Sequence, residues 1–273
     1  MHKTILITGS TDGIGLETAK ALYSQGHHVL LHGRNPEKLA TAENALSEGP
    51  GDGCVDSYLA DLSLMDNVKT LSESIAKDHN QLDVLINNAG VFRSRDTFTR
   101  EGLDIRFAVN TFAPCLLTQR LLPLLGTGGR VINLSSAAQS PVDLQALVGQ
   151  TEISDQLNAY AQSKLALTMW TQHMAQSQGE KGLVFVAVNP GSLLATNMVK
   201  EGFGMPGKDI QIGVDILVRA ALASEFADAS GKYFDNDSGR FTSPHSDAMD
   251  ARKSDEVIRA IEAFLTNTGH TLT

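Results

Sequence analysis

Tyr160 and Lys164 stand four residues apart in the run NAYAQSKLAL, residues 158–167. On an α-helix that spacing puts both side chains on one face, close enough for the ammonium to stabilise a phenolate. A free phenol has a pKa of about 10 and trades protons poorly near neutrality. A nearby cation favours the charged form and makes the tyrosine a usable acid or base. The same spacing also suits an amphipathic helix with a solvated lysine, so the pair needs something to react with elsewhere in the chain.

Residues 8–15, TGSTDGIG, lie between an apolar run at 5–8 and a helical pattern at 16–25. Gly9, Gly13 and Gly15 allow a tight turn, close approach of backbone to a pyrophosphate, and close packing of helix on strand. The helix N-terminus adds free N–H groups and a positive dipole, with Ser10, Asp12 and Ile14 completing the turn. The spacing is GxxxGxG, not GxGxxG, and such glycines can also serve turning alone. The end of the second strand, Leu31-His32-Gly33-Arg34, holds no carboxylate for a ribose 2′-hydroxyl. Arg34 instead offers a planar fork for a 2′-phosphate, although an exposed loop arginine would read the same. The expected cofactor is NADP(H).

These residues must be positioned by a fold, and the pattern indicates one. The 273 residues are 42% hydrophobic, enough for one large domain spanning 1–273. Short β-rich runs at 5–8, 29–32, 55–60, 84–87, 131–135, 184–189 and 232–235 alternate with helical patterns at 16–25, 63–79, 103–122, 158–176, 210–223 and 255–265. That alternation predicts an α/β doubly wound parallel sheet with helices on both faces. Two long connections, 137–157 and 192–207, leave strand ends where such sheets bind ligands, and a polar loop at 236–250 reads as surface. A net charge of −9 and a pI near 5.3 argue against nucleic acid or an anionic membrane as partner. No apolar run reaches the roughly 20 residues of a membrane span. Cys54 and Cys115 form no CxxC pattern and fit a reducing cytosol, so the expected location is cytoplasmic. His27, His28 and His32 raise a metal, but His27 and His28 are adjacent in a strand and point to opposite faces, with no carboxylate at ligand spacing, so none is expected.

In order along the chain stand TGxxxGxG, Asn87-Asn88-Ala89-Gly90, Ser135-Ser136, YxxxK and Pro190-Gly191. This ordered set resembles the short-chain dehydrogenase/reductase family over essentially the whole length. The resemblance implies a Rossmann-type domain with a seven-stranded parallel sheet, and hydride transfer between a nicotinamide cofactor and a carbonyl or alcohol. It implies Tyr160 as general acid or base and Lys164 as the cation that lowers its pKa and holds the nicotinamide ribose. Ser136 would hydrogen-bond the substrate oxygen, and Asn110 would hold a water linking Lys164 to solvent. Asp61 with Leu62 would lie along the adenine, Asn88, Ala89 and Gly90 beside the cofactor, and Pro190-Gly191 at the nicotinamide. Capping and backbone bonding are alternative uses of Asp61, Ser136 and Asn110.

Two departures bear on specificity. Ser136 and Tyr160 lie 24 positions apart where many members have about a dozen, which resembles the retinol-dehydrogenase-like, NADP-preferring branch. The threonine that many members place five residues after the proline is Ala195 here, and Thr196 follows. Leu193, Leu194, Met198, Val199, Phe203 and Met205 make 192–207 a flexible, partly apolar lid, which suggests an apolar aldehyde, ketone or secondary alcohol as the small-molecule substrate. The leading expectation is an NADPH-dependent carbonyl reductase; the alternative is a non-catalytic NADP(H)-binding regulator. Members commonly pair through the helices after the fourth and fifth strands, implying a homodimer or homotetramer, and Ala161 and Ala166 supply small residues there; they could equally serve the chain's own packing.

Overall fold

The computed structural model of the chain describes residues 2–204 and 206–270. The seven expected strands form: β1 (Thr4–Ile7), β2 (His28–Gly33), β3 (Cys54–Leu59), β4 (Leu82–Asn87), β5 (Leu125–Leu134), β6 (Val184–Asn189) and β7 (Tyr233–Asp235). An eighth, β8 (Arg240–Thr242), comes from the polar stretch read as surface and pairs antiparallel with β7 at the sheet edge. The sheet order is β3-β2-β1-β4-β5-β6-β7-β8, so the chain winds outward from β1 to β3, then restarts at β4 on the other side of β1. The crevice beyond the carboxyl ends of β1 and β4 is where such a sheet binds a ligand.

Side-chain alternation along the strands sorts the core into two layers. Ile5 and Ile7, Val29 and Leu31, and Val186 and Val188 face one layer; Leu6, Leu30 and Phe185 face the other. The first layer is closed by α1 (Gly13–Ser24), α2 (Pro36–Ser47) and, later in the chain, a helix at 211–222. The second is closed by α3 (Met65–Asp78), then α4 (Ile105–Phe107), which runs through a π-turn at Ala108–Phe112 into α5 (Ala113–Leu121). After a short α6 (Leu144–Leu147) comes α7 (Gln156–Gln178), the long helix of this layer; α8 (Asn197–Phe203), α9 (Gln211–Leu222) and α10 (Ala251–Asn267) follow.

Helix α2 is absent from the pattern reading because it buries only Leu39, Ala42 and Leu46. Its signal is in the caps: Asn35 accepts from the Lys38 N–H at 2.9 Å, and Pro36 stands at the first helical position. Both long connections contain short helices, α6 and α8, and Met205 of the expected lid lies outside the described residues. No helix among the described residues is long and apolar enough to cross a membrane.

Helix α10 lies across α7 and the start of α5. Val257, Ile258, Ile261 and Leu265 join Phe112, Cys115, Ala166, Met169 and Trp170 in one buried cluster, and the Phe112 and Phe264 rings meet at 4.9 Å. Ala161 and Ala166 are both buried within the chain, Ala166 in the cluster that α10 shares. Trp170 is the sole tryptophan and is 1% exposed. Replacing Ile261 by Ala removes packing at this seam and should cost about 2–5 kcal/mol in urea unfolding, with a red shift of Trp170 emission. A loss below about 1 kcal/mol with unchanged emission would contradict the packing described.

Candidate active site

Three hydrogen bonds, one of them backed by a further bond between strands, fix the height and rotation of α7 against the sheet and the π-turn. Asn133 of β5 donates to Thr171 Oγ1 at 2.8 Å, and Asn87 of β4 donates to Asn133 Oδ1 at 2.8 Å. Ser135 Oγ lies 2.7 Å from Thr168 Oγ1, and Thr111 Oγ1 donates to the Ser163 carbonyl at 2.8 Å. Asn87 and Asn133 sit at alternate positions facing the α5/α7 layer, so the strand period itself aims these amides at the helix.

Asn110 lies in the π-turn, where the helix widens and releases backbone geometry that a regular helix would not allow. Its amide is fully engaged: Oδ1 accepts from the Val91 N–H at 2.7 Å, and Nδ2 donates to the Val91 carbonyl and to Ser163 Oγ, both at 2.9 Å. Ser163 Oγ in turn donates to the Tyr160 carbonyl at 2.7 Å. Asn110 thus ties the 88–91 loop to the turn of α7 that carries Tyr160. A Cβ on Gly90 would come within 3.6 Å of Lys164 Nζ and 3.5 Å of Asn110 Oδ1, so the three residues converge.

Lys164 is buried, and its Nζ donates to the Leu134 carbonyl at 2.6 Å and sits 5.7 Å from the Tyr160 ring centre. Burial pushes its pKa down to about 8. Tyr160 keeps one edge open to a cavity but is otherwise enclosed by protein, with Phe92 edge-on at 5.3 Å; burial raises its pKa, and a side-chain hydrogen bond with Ser136 draws it back. Burial thus opposes the lowering expected from Lys164. The Ser136 backbone is pinned through its carbonyl, which accepts from Tyr233 Oη at 3.0 Å and Gln139 Nε2 at 2.9 Å. Neither partner is signalled by sequence spacing.

Beside this group lies a cavity of about 430 Å³, running along the β1/β4 crevice. Gly9, Asp12, Gly13, Ile14 and Gly15 line one part, Arg34, Asp61 and Leu62 another, and Asn88, Ala89, Gly90, Tyr160, Lys164, Pro190 and Thr196 a third; Ser135 is in the lining and the expected Ser136 is not. Gly9 has φ +65°, and a Cβ there would sit 2.9 Å from the Ala89 Cα; at Gly15 it would meet the Gly9 carbonyl at 2.4 Å. The turn is thus built so that backbone N–H groups at the start of α1, which have no helical acceptor, line the space. That cradle fits a dinucleotide pyrophosphate. Thr8 holds it to the neighbouring loop, its Oγ1 accepting from the N–H groups of Asn88 and Ala89 at 3.0 and 3.1 Å, while Asn88 Nδ2 donates to the Thr8 carbonyl at 2.8 Å.

Several expected residues stand elsewhere. Ser10 is fully buried and does not line the cavity: its Oγ accepts from the His32 N–H at 2.9 Å, tying the turn to β2. Gly191 also lies off the cavity lining; φ +121° turns its backbone between Leu194 and Ile212. Asp61 does line it, and its Oδ1 is engaged by the N–H and Oγ of Ser63 at 2.9 and 2.8 Å. Thr196 lines it and caps α8, accepting from the Val199 N–H at 3.3 Å. Asn197 Nδ2 reaches back to Asp12 at 2.6 Å, joining that helix to the glycine turn.

His32 is the functional neighbour that pattern reading missed. Its Nδ1 accepts from the Gly9 N–H at 3.0 Å and its Nε2 meets the Ala60 carbonyl at 3.1 Å. One neutral imidazole thereby links the ends of β1, β2 and β3, and burial lowers its pKa to about 4.

Residues 3–205 match the family model for short chain dehydrogenases. This chain belongs to that family. It is 31% identical to human retinol dehydrogenase 13 over 251 residues, 85% of this chain and 76% of that protein. A short chain dehydrogenase from Burkholderia cenocepacia, solved with NADP, superposes with a TM-score of 0.67 at 25% identity, covering 86% of this chain and 95% of that one. LugOII, described as a promiscuous reductase catalysing keto-reduction at C1 in lugdunomycin biosynthesis, gives 0.66 at 27% identity, with coverage of 86% and 95%. The chain is an oxidoreductase enzyme that binds a nicotinamide cofactor and acts on small molecules.

The pKa of His32 yields an acid-stability prediction. The unfolded imidazole takes a proton near pH 6.5 and the folded one only near 4. Its contribution is therefore whole above about 6.5 and lost as pH falls through about 4, a change of about 3 kcal/mol. Wild type should lose that much stability relative to His32→Asn between pH 7 and 4 in urea titrations. Parallel pH dependences for the two proteins would show that His32 is not the titrating group.

Proposed function

We propose that this chain transfers hydride between NADP(H) and an apolar aldehyde, ketone or secondary alcohol, with Tyr160 moving the proton. The observation that carries this reading is that Tyr160 and Lys164 line a cavity whose other end is a glycine cradle, with Ser136 hydrogen-bonded to Tyr160. Bound in that cradle, NADP(H) would supply or accept the hydride. Negative charge developing on a substrate oxygen meets two hydroxyl donors, Tyr160 and Ser136, in an enclosed setting where such donors act strongly. Tyr160 gives up its proton in reduction and recovers it in oxidation. Below about pH 8 Lys164 is charged, and as the phenolate forms beside it their attraction lowers the barrier. Asn110 serves as a positioning residue, holding Tyr160 through Ser163.

Preference for NADP(H) is supported by exposed Arg34 on the cavity wall, by the lack of a carboxylate at the end of β2, and by the NADP-bound relative. Phe92, Ile105, Val109 and Met198 line the cavity and support an apolar substrate, and the keto-reduction described for LugOII and the name retinol dehydrogenase fit that chemistry. The acidic surface and the two free thiols support a cytoplasmic enzyme without nucleic-acid partners.

Tyr160→Phe should lower kcat for carbonyl reduction by about 10²–10⁴-fold while leaving NADPH affinity within a few fold. Tight NADPH binding with no turnover of any aldehyde, ketone or quinone by the wild-type chain would instead mark a nucleotide-binding regulator. Arg34→Ala should raise KM for NADPH by about 10–100-fold and leave KM for NADH nearly unchanged, measured by absorbance; equal effects would remove the 2′-phosphate assignment.

A further inference from the structure

At the end of the sheet remote from the cavity, three side chains from separate segments meet. His28 opens β2, Asp56 lies in β3, and His79 follows the last turn of α3. Asp56 Oδ2 is 2.8 Å from His28 Nε2 and 3.5 Å from His79 Nε2, and the three ligand atoms all lie within 4.8 Å of one another. Donor atoms around a four-coordinate zinc ion at about 2.0–2.1 Å from the metal stand roughly 3.3 Å apart, so small side-chain rotations bring this set to that spacing. The sequence gives no hint of it, because the carboxylate comes from the neighbouring strand and the second imidazole from a helix end 51 positions on.

The geometry points to a divalent transition-metal site, with zinc as the class of ion, held by His28 Nε2, Asp56 Oδ2 and His79 Nε2. Two imidazoles and one carboxylate suit zinc better than calcium or magnesium, which prefer all-oxygen shells. The backbone behind the ligands is fixed: β2 and β3 pair from His28↔Cys54 to Gly33↔Leu59, and the His79 N–H bonds the Ile75 carbonyl at 2.9 Å. The His79 side chain is 12% exposed, His28 22% and Asp56 50%, leaving one open side for entry and for a water as fourth ligand. Tyr58 Oη lies 2.8 Å from His79 Nε2 and donates to Asp78 Oδ2 at 3.2 Å. Metal binding takes over the His79 nitrogen, and Tyr58 keeps Asp78 as its partner, so no buried hydroxyl is orphaned. An ion here would fasten the exposed edge strand β3 to β2 and to the end of α3.

The test titrates zinc chloride into the metal-stripped, tag-free full chain by calorimetry, with thermal unfolding in parallel. One equivalent should bind and raise the unfolding midpoint, and Asp56→Asn, His28→Gln and His79→Gln should each weaken binding by at least about tenfold. His2→Gln and Cys54→Ser should leave binding intact. NADPH affinity within a few fold of wild type confirms that each variant is folded. Absence of one-equivalent binding, retention of full affinity in the three ligand variants, or loss of binding on His2→Gln or Cys54→Ser would each overturn the site.

Discussion

Both reacting side chains ride on one helix, and the placement of that helix rests on buried polar side chains. Apolar contacts alone would let α7 slide or rotate by a fraction of a turn at little cost, because they are not directional. Ser135 with Thr168, Asn133 with Thr171, and Asn110 with Ser163 are directional, and each is buried. A single such bond contributes about 1 kcal/mol net, but leaving one unmade in the interior costs about 1–3 kcal/mol. The penalty for misplacement is what fixes the register, and Tyr160 and Lys164 inherit it.

The same burial sets the electrostatics. Enclosure moves the Tyr160 pKa up and the Lys164 pKa down, disfavouring the charged form of each. A short hydrogen bond from Lys164 to the Leu134 carbonyl keeps the ammonium at the end of β5, the strand that leads into the Ser135-Ser136 pair. The glycine turn is positioned by comparable means: Thr8 from one side, His32 from the other, with Ser10 turned inward between them.

Much of this was legible in the sequence because strand and helix periods are local. The seven parallel strands, α1, α7 and α10 announce themselves by apolar spacing, and the order of short motifs identifies the crevice they line. Elements with polar surfaces were harder: α2 buries three residues in twelve and betrays itself only by Asn35 and Pro36. Side-chain partners reached across strands were not legible at all. His32 reads as one more histidine until Gly9 and Ala60 are placed on either side of it, and Tyr233 meets the Ser136 carbonyl from 97 positions away. The upward pull of burial on the Tyr160 pKa has the same origin, since spacing conveys proximity of a cation but not the depth of burial.

Helix α10 gives the molecule a property of its own. The packing that backs α7 is supplied from within the chain by Ile258, Ile261 and Leu265. A second copy in that place would associate and dissociate with concentration, whereas an intramolecular element is present at a fixed effective concentration. The support behind Tyr160 and Lys164 therefore survives dilution.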